Sequence, residues 1–149
     1  MRYHICTSSI TGKEYSLEQC IEILNPKQAL FYIDRGCTIQ DIYPSINYQS
    51  GKENLIFIFE RSESADLYPL WLEQRGSKLK CKHPEENTDE NLARIINISQ
   101  VIFYLKNKAK LMKCAPVLDY RSHDAVLAFY FSKSETEKIE KQWKQSRKH

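Results

Sequence analysis

The sequence predicts an α+β protein made of two tandem β-α-β-β-α repeats. Helices should pack on a mainly antiparallel sheet, and a pseudo-twofold axis should relate the copies. Three observations predict this. First, Ser16 to Arg75 moved by 72 positions lies on Thr88 to Arg147 without a gap, and sixteen of the 60 pairs are identical. A period this long exceeds that of the common solenoids and points to a duplicated small domain. Second, Leu55, Phe57 and Phe59 alternate with Ile56 and Ile58, and Leu127, Phe129 and Phe131 alternate with Ala128 and Tyr130. That is the period of a strand buried on one face at least. Third, matched helix signals flank these strands: Asn25 and Asn97 before one helix, Ser62-Glu63 and Ser134-Glu135 at the start of another.

Taken in order, residues 3–9 read as a first strand. Ser16, with Gln19 three residues on, resembles a capping box opening a helix to Leu24. Asn25-Pro26 breaks and restarts it, because proline suits a first helical position. The restarted helix turns Ala29, Leu30 and Ile33 inward and ends at Gly36, the expected residue past a helix C-terminus. Thr38 to Tyr48 is extended through Pro44, and residues 49–53 form a turn. Asn54 to Glu60 is the clearest strand. The Ser62 helix contains Pro69, which predicts a kink or a late start. Residues 76–87 link the copies, and Lys78 to Lys82 alternates like a first strand. In the second copy a helix is expected from Thr88 to about Lys106, then an extended stretch from Leu111 to Tyr120. The strand Val126 to Phe131 and a helix capped by Ser134 and Glu137 follow. Trp71 and Trp143 are expected in the core. Each unit has few strands, so strands should also pair between copies.

The first repeat is residues 1–75 and the second 76–149. A unit of about 70 residues is marginal alone, so the two should share one compact domain. Net charge is +3, unevenly placed. Residues 1–75 carry seven Lys/Arg against ten Asp/Glu, and residues 76–149 carry fifteen against nine. One scaffold therefore bears an acidic and a basic surface. No apolar run approaches the roughly 18 residues that span a membrane, and Met1-Arg2-Tyr3-His4 lacks signal-peptide character. A bacterial cytoplasmic location without membrane association is expected. The five cysteines are odd in number and form no CxxC, which suits reduced, mostly buried thiols.

The run Gln28 to Gly36, then Ile39 and Ile42, then Leu55 to Phe59 and the Ser62-Glu63 helix, resembles a small domain of phages and bacterial mobile elements, the DUF5659 type. The resemblance covers about 50 residues of each copy. Lys108 stands where the pattern has glycine, so the second copy's helix exit should differ. The resemblance implies a phage or mobile-element origin and supplies no catalytic residues.

No hydrolase, metalloprotease or nucleotide-loop motif occurs, so a non-enzymatic protein without cofactor is expected. His4-x-Cys6 and Cys81-x-His83 begin the two copies and, if paired, would offer a tetrahedral zinc set. Core cysteines with surface histidines are the simpler expectation, and no metal is assigned. Candidate nucleic-acid contacts are Lys78, Lys80 and Lys82, then Lys106, Lys108, Lys110 and Lys113, with Arg121 beyond. Tyr48, Tyr120 and Tyr130 would stack on bases if they face outward. The lysines of the last helix are interleaved with Glu135, Glu137 and Glu140 and read better as a solvated face. On the acidic half, Asp34, Asp41, Tyr43, Asp66 and Tyr68 are candidate partner contacts. The leading expectation is a binding protein whose basic half engages nucleic acid or a nucleic-acid-binding protein of the host. The alternative is a direct inhibitor of a bacterial defence system, of the anti-CRISPR type, acting by surface occlusion.

Overall fold

The computed structural model describes residues 5–77, 81, 84–85, 89–119 and 121–147. The chain is α+β, with three antiparallel sheets among the described residues. A hairpin comes first, β1 (Ile5–Thr7) with β2 (Glu14–Ser16), followed by a 3-10 turn at Leu17–Gln19. Then come β3 (Cys20–Ile23), α1 (Pro26–Asp34), β4 (Ile39–Ile46), β5 (Glu53–Glu60), α2 (Arg61–Ser64) and α3 (Leu67–Gln74). The rest is β6 (Leu92–Ile95), α4 (Ile98–Lys106), β7 (Leu111–Leu118), β8 (Ala125–Ser132) and α5 (Lys133–Ser146). The sheet orders are β3-β5-β4 and β6-β8-β7.

The two three-stranded sheets have the same registers 72 positions apart. Ile23 faces Phe57 and Ile95 faces Phe129; Pro44 faces Leu55 and Pro116 faces Leu127. Each carries a bulge at the matching point, between Ile39 and Asp41 and between Leu111 and Lys113. The bulge inserts one residue, so strict alternation fails there. As a result Asp41 lies opposite Ile58, on the other face from Ile42, and Lys113 lies opposite Tyr130.

The helix signals at Asn25 and Asn97 hold. Asn25 Oδ1 accepts from the Lys27 N–H at 2.9 Å and Asn97 Oδ1 from the Gln100 N–H at 3.2 Å. Both satisfy orphan donors of the first turn. Gln28 and Gln100 each donate to a tyrosine hydroxyl four residues on, Tyr32 and Tyr104, at 3.0 Å. The tyrosines then meet Phe59 and Phe131 edge-on, at 5.5 and 5.3 Å between centroids. Phe31 packs on Trp71 and Phe103 on Trp143.

One buried cluster draws on both halves of the chain, from Ile23 to Ile139. At its middle Phe57 meets Phe129, centroids 6.3 Å apart. Helix α1 touches β7 and β8 besides its own sheet, and α4 touches β4 and β5. That exchange explains why α1 is buried on so many sides, with Ala29, Leu30, Phe31 and Tyr32 all in the interior. The outer face of the first sheet is a separate layer: Ile56, Ile58 and Cys20 lie under Tyr15 of the hairpin. Val117, Ala128 and Tyr130 form the matching layer on the second sheet.

Several sequence expectations are corrected. Residues 16–24 are not a helix: Ser16 ends β2 and Cys20–Ile23 is a strand edge-paired to β5. The chain from Thr88 to Lys106 is likewise not one helix, because β6 occupies Leu92–Ile95 and the helix starts after Asn97. Amphipathic spacing over so short a run does not separate a strand from a helical turn. Among the described residues no strand pairs between the halves; they meet through side chains instead. The terminal helices begin earlier than the Ser62 and Ser134 signals. Glu60 and Ser132 occupy the N-cap positions, and neither makes a side-chain cap bond. Pro69 sits in the first turn of α3, after a break at residues 65–66, where its missing N–H costs no helical bond.

The helix exit at Lys108 is not different. Lys108 adopts φ 67° where Gly36 has φ 98°, and Cys37 and Ala109 return the same backbone bond to Tyr32 and Tyr104, each at 3.0 Å. A side chain pays a steric cost there that glycine avoids. Lys108→Gly should therefore raise stability by roughly 0.5–1 kcal/mol in urea unfolding. Phe57→Ala and Phe129→Ala should each lower it by about 3–5 kcal/mol, and similar losses for the two would show that both halves depend on one interior.

Candidate functional site

The thirteen sequence-picked contact residues do not form one site. Lys78, Lys80 and Lys82 lie outside the described residues, as do His4, His83 and Tyr120. Lys106 ends α4 and its ammonium binds Glu53 of the first half at 2.6 Å. Lys108 and Lys110 follow it, both exposed. Lys113 is on the outer face of β7, ion-paired to Glu85 and 4.9 Å from the centre of the Tyr130 ring. Arg121 belongs to the β7–β8 turn, at the other end of an eight-residue strand from Lys110. A strand of that length spans about 26 Å, so Arg121 and Lys110 do not share a patch. Tyr130 is fully buried, which corrects its proposed role as a base-stacking platform. Tyr48, in the β4–β5 turn, is 97% exposed.

On the acidic half, Asp34 and Asp41 are corrected as partner contacts, because both are buried. Asp34 accepts from the Cys81 thiol at 3.3 Å. Asp41 is the anchor of the hairpin cover. Its Oδ1 accepts from the Ser9 N–H at 3.0 Å and the Ser9 hydroxyl at 2.7 Å, and its Oδ2 from the Tyr15 hydroxyl at 2.7 Å. The bulge that turns Asp41 to the outer face is what makes this possible. Tyr43 is half-buried against the same layer. Asp66 and Tyr68 remain exposed, Tyr68 by 50%.

The zinc expectation finds no geometric support. Cys6 packs on the outer layer of the first sheet, whereas Cys81 bonds to the end of α1, which lies on the inner face. No group of three or more metal-ligating side chains gathers among the described residues. All five cysteines are free. Burial pushes the Cys20 and Cys37 thiols above their ordinary range, which makes them poor nucleophiles.

An open cleft of about 600 Å³ lies between β6, α4 and the start of α5. Arg94 of β6, Tyr104 of α4 and Lys133, Glu137 and Glu140 of α5 line it. It is of mixed charge. No helix among the described residues is long and apolar enough to cross a membrane.

The surface that sequence reasoning missed is on α3. Trp71 points inward, buried beside Phe31. Around it Tyr68, Leu70 and Leu72 are 50%, 43% and 37% exposed. The positions 72 later hold Glu140, Gln142 and Lys144, all exposed on α5. Comparing the two copies column by column would have found this signal, because the interior residue Trp71/Trp143 is kept while its neighbours are exchanged.

No protein family, curated protein or solved structure matches the chain.

The Tyr15–Asp41 contact has a pH signature. Burial first, then the hydrogen bond to the Asp41 carboxylate, pushes the Tyr15 phenol well above its ordinary value. Burial raises Tyr32 and Tyr104 as well. A raised folded-state pKa gives stability that is intact below the unfolded value, about 10, and lost as pH rises beyond it. Unfolding free energy should thus decline above about pH 10, and Tyr15→Phe should make the decline shallower. Tyrosinate absorbance that develops fully while the fold persists would contradict this.

Proposed function

We propose that the protein is a small non-enzymatic binding protein of a phage or mobile genetic element, acting by occupying the surface of a nucleic-acid-processing protein in a bacterial host. Its scaffold is two tandem copies of one module about a pseudo-twofold axis. The origin rests on the resemblance of residues 28–63 to the DUF5659-type domain. The pseudo-symmetry is supported by the matching registers, caps and aromatic pairs at an offset of 72.

One observation carries the binding reading. Interior positions agree between the halves, whereas exposed positions on the same elements differ in chemistry. Glu22 matches Arg94, and Tyr68, Leu70 and Leu72 match Glu140, Gln142 and Lys144. A fold needs none of the exposed apolar residues on α3, since α5 holds the same place with polar ones. Such residues mark an interaction surface. Inhibition of a host defence protein by occlusion, of the anti-CRISPR type, is the form of this reading that uses the acidic half.

Direct binding of nucleic acid by the basic half is the second reading, and exposed Lys108 and Lys110 favour it. It is weakened by the ion pairs of Lys106 and Lys113 and by the burial of Tyr130.

The test is affinity capture on the tagged protein from nuclease-treated bacterial host extract. The expected result is one nucleic-acid-processing protein, eluted by excess oligonucleotide, with capture unchanged by Lys108→Glu and Lys110→Glu. Recovery of no such protein overturns the reading. A gel shift of free single-stranded DNA or RNA at physiological ionic strength, abolished by those two substitutions, establishes the second reading instead.

A further inference from the structure

The structure assigns a docking face on α3 whose occupant is an apolar strip rimmed by lysine or arginine on another protein. This inference rests on the binding reading above and names the surface and the partner chemistry. Helical period places Tyr68 and Leu72, four residues apart, on one flank of α3 and Leu70 on the other. Pro69 lies on the crest between them, also exposed. Trp71 underneath packs the helix on Phe31, which belongs to the buried core. Rigid aromatic and aliphatic side chains lose little entropy on binding.

The charges around the face choose the partner. Exposed Asp66 stands just before the helix, and helical period puts exposed Glu73 on its crest beside Pro69. Across Glu60 to Arg75 the acids Glu60, Glu63, Asp66 and Glu73 outnumber Arg61 and Arg75. On the matching span of α5 the order reverses: Lys133, Lys138, Lys141, Lys144 and Arg147 outnumber Glu135, Glu137 and Glu140. Acids set among exposed apolar side chains attract a basic rim around an apolar groove and repel an acidic one. Grooves of that kind are where proteins hold nucleic acid through phosphates and base faces. A second copy of this chain is the less suitable occupant, because α5, the equivalent helix on the basic half, presents polar side chains at the matching positions.

The test uses the full chain and a defined probe, an amphipathic helical peptide of leucine and lysine, with a leucine and glutamate peptide as control. Trp71, beneath the face, and Trp143 report binding by fluorescence. The variant is Tyr68→Glu, Leu70→Gln and Leu72→Lys combined, the residues the same scaffold already carries on α5. Tight binding of the lysine peptide, salt-sensitive, absent for the glutamate peptide and weakened at least about tenfold in the variant, supports the inference. Equal binding by the variant, or binding of both peptides alike, overturns it. If the variant does not fold, Leu72→Lys alone, on the solvent flank of α3, decides by the same readout. Concentration-dependent dimerisation in sedimentation that the variant abolishes assigns the face to a second copy and overturns the inference too. Host capture that survives in the variant leaves the binding reading standing and places its surface elsewhere.

Discussion

The contact between Phe57 and Phe129 is the constraint on which the rest depends. Each three-stranded sheet presents one apolar face, Leu55, Phe57 and Phe59 or Leu127, Phe129 and Phe131. Neither sheet is wide enough, nor its helices numerous enough, to cover that face alone. Setting the faces together removes both from water at once. Helices α1 and α4 then have to lie across the junction, and each becomes buried against the opposite sheet as well as its own. Every other interior contact follows: the tyrosines of these helices meet Phe59 and Phe131, and the glutamines one turn earlier satisfy their hydroxyls. A buried phenol without a partner costs about 1–3 kcal/mol. Gln28 and Gln100 are therefore explained by folding, although their identity at matched positions invites a functional reading.

Joining two sheets by their inner faces leaves two outer faces to be covered. The chain solves this differently on each side. On the first sheet the β1–β2 hairpin lies over Ile56 and Ile58, and Asp41 ties it down through Ser9 and Tyr15. On the second, Glu85 pairs with Lys113 and takes a backbone bond to Pro116. The Tyr130 hydroxyl and Glu85 Oε2 are buried there, with no hydrogen-bond partner among the described residues. One bulge controls both arrangements, because it turns position 41 and its counterpart 113 outward. The same backbone feature thus presents a carboxylate on one sheet and an ammonium on the other.

Much of this was legible in the sequence, and the failures have a common cause. The strands around Phe57 and Phe129 are long, alternating and aromatic, so their period was clear. Asn25, Pro26 and Gly36 carry local chemistry that acts wherever they stand. Residues 16–24 failed because Ser16 and Gln19 imitate a helix cap, while the edge pairing of Cys20–Ile23 with β5 is a tertiary fact. Asp34 and Asp41 failed because charge was taken as exposure. Their burial depends on a thiol 47 positions away and on hairpin donors at Ser9 and Tyr15, which no local window contains. The lysine cluster dissolved for the related reason that Glu53 and Glu85 approach it only in three dimensions.

Two halves whose sheets keep the same registers 72 positions apart are two versions to compare, each a control for the other. Where the versions agree, packing or backbone geometry suffices as the reason: Trp71 and Trp143 sit on Phe31 and Phe103. Where they differ at a turn, the backbone path is kept, as Lys108 replaces Gly36 and still turns the chain. Where they differ at an exposed site, nothing within the fold demands the difference. Tyr68, Leu70 and Leu72 are of this last kind, and they place apolar area in water. The polar residues at these positions on α5 are solvated, and Glu140 and Lys144 pair with each other at 3.1 Å. An apolar one is held in water at a cost of about 25 cal/mol per Å² until something covers it. The arrangement is therefore better understood as one half of an interface than as a free surface.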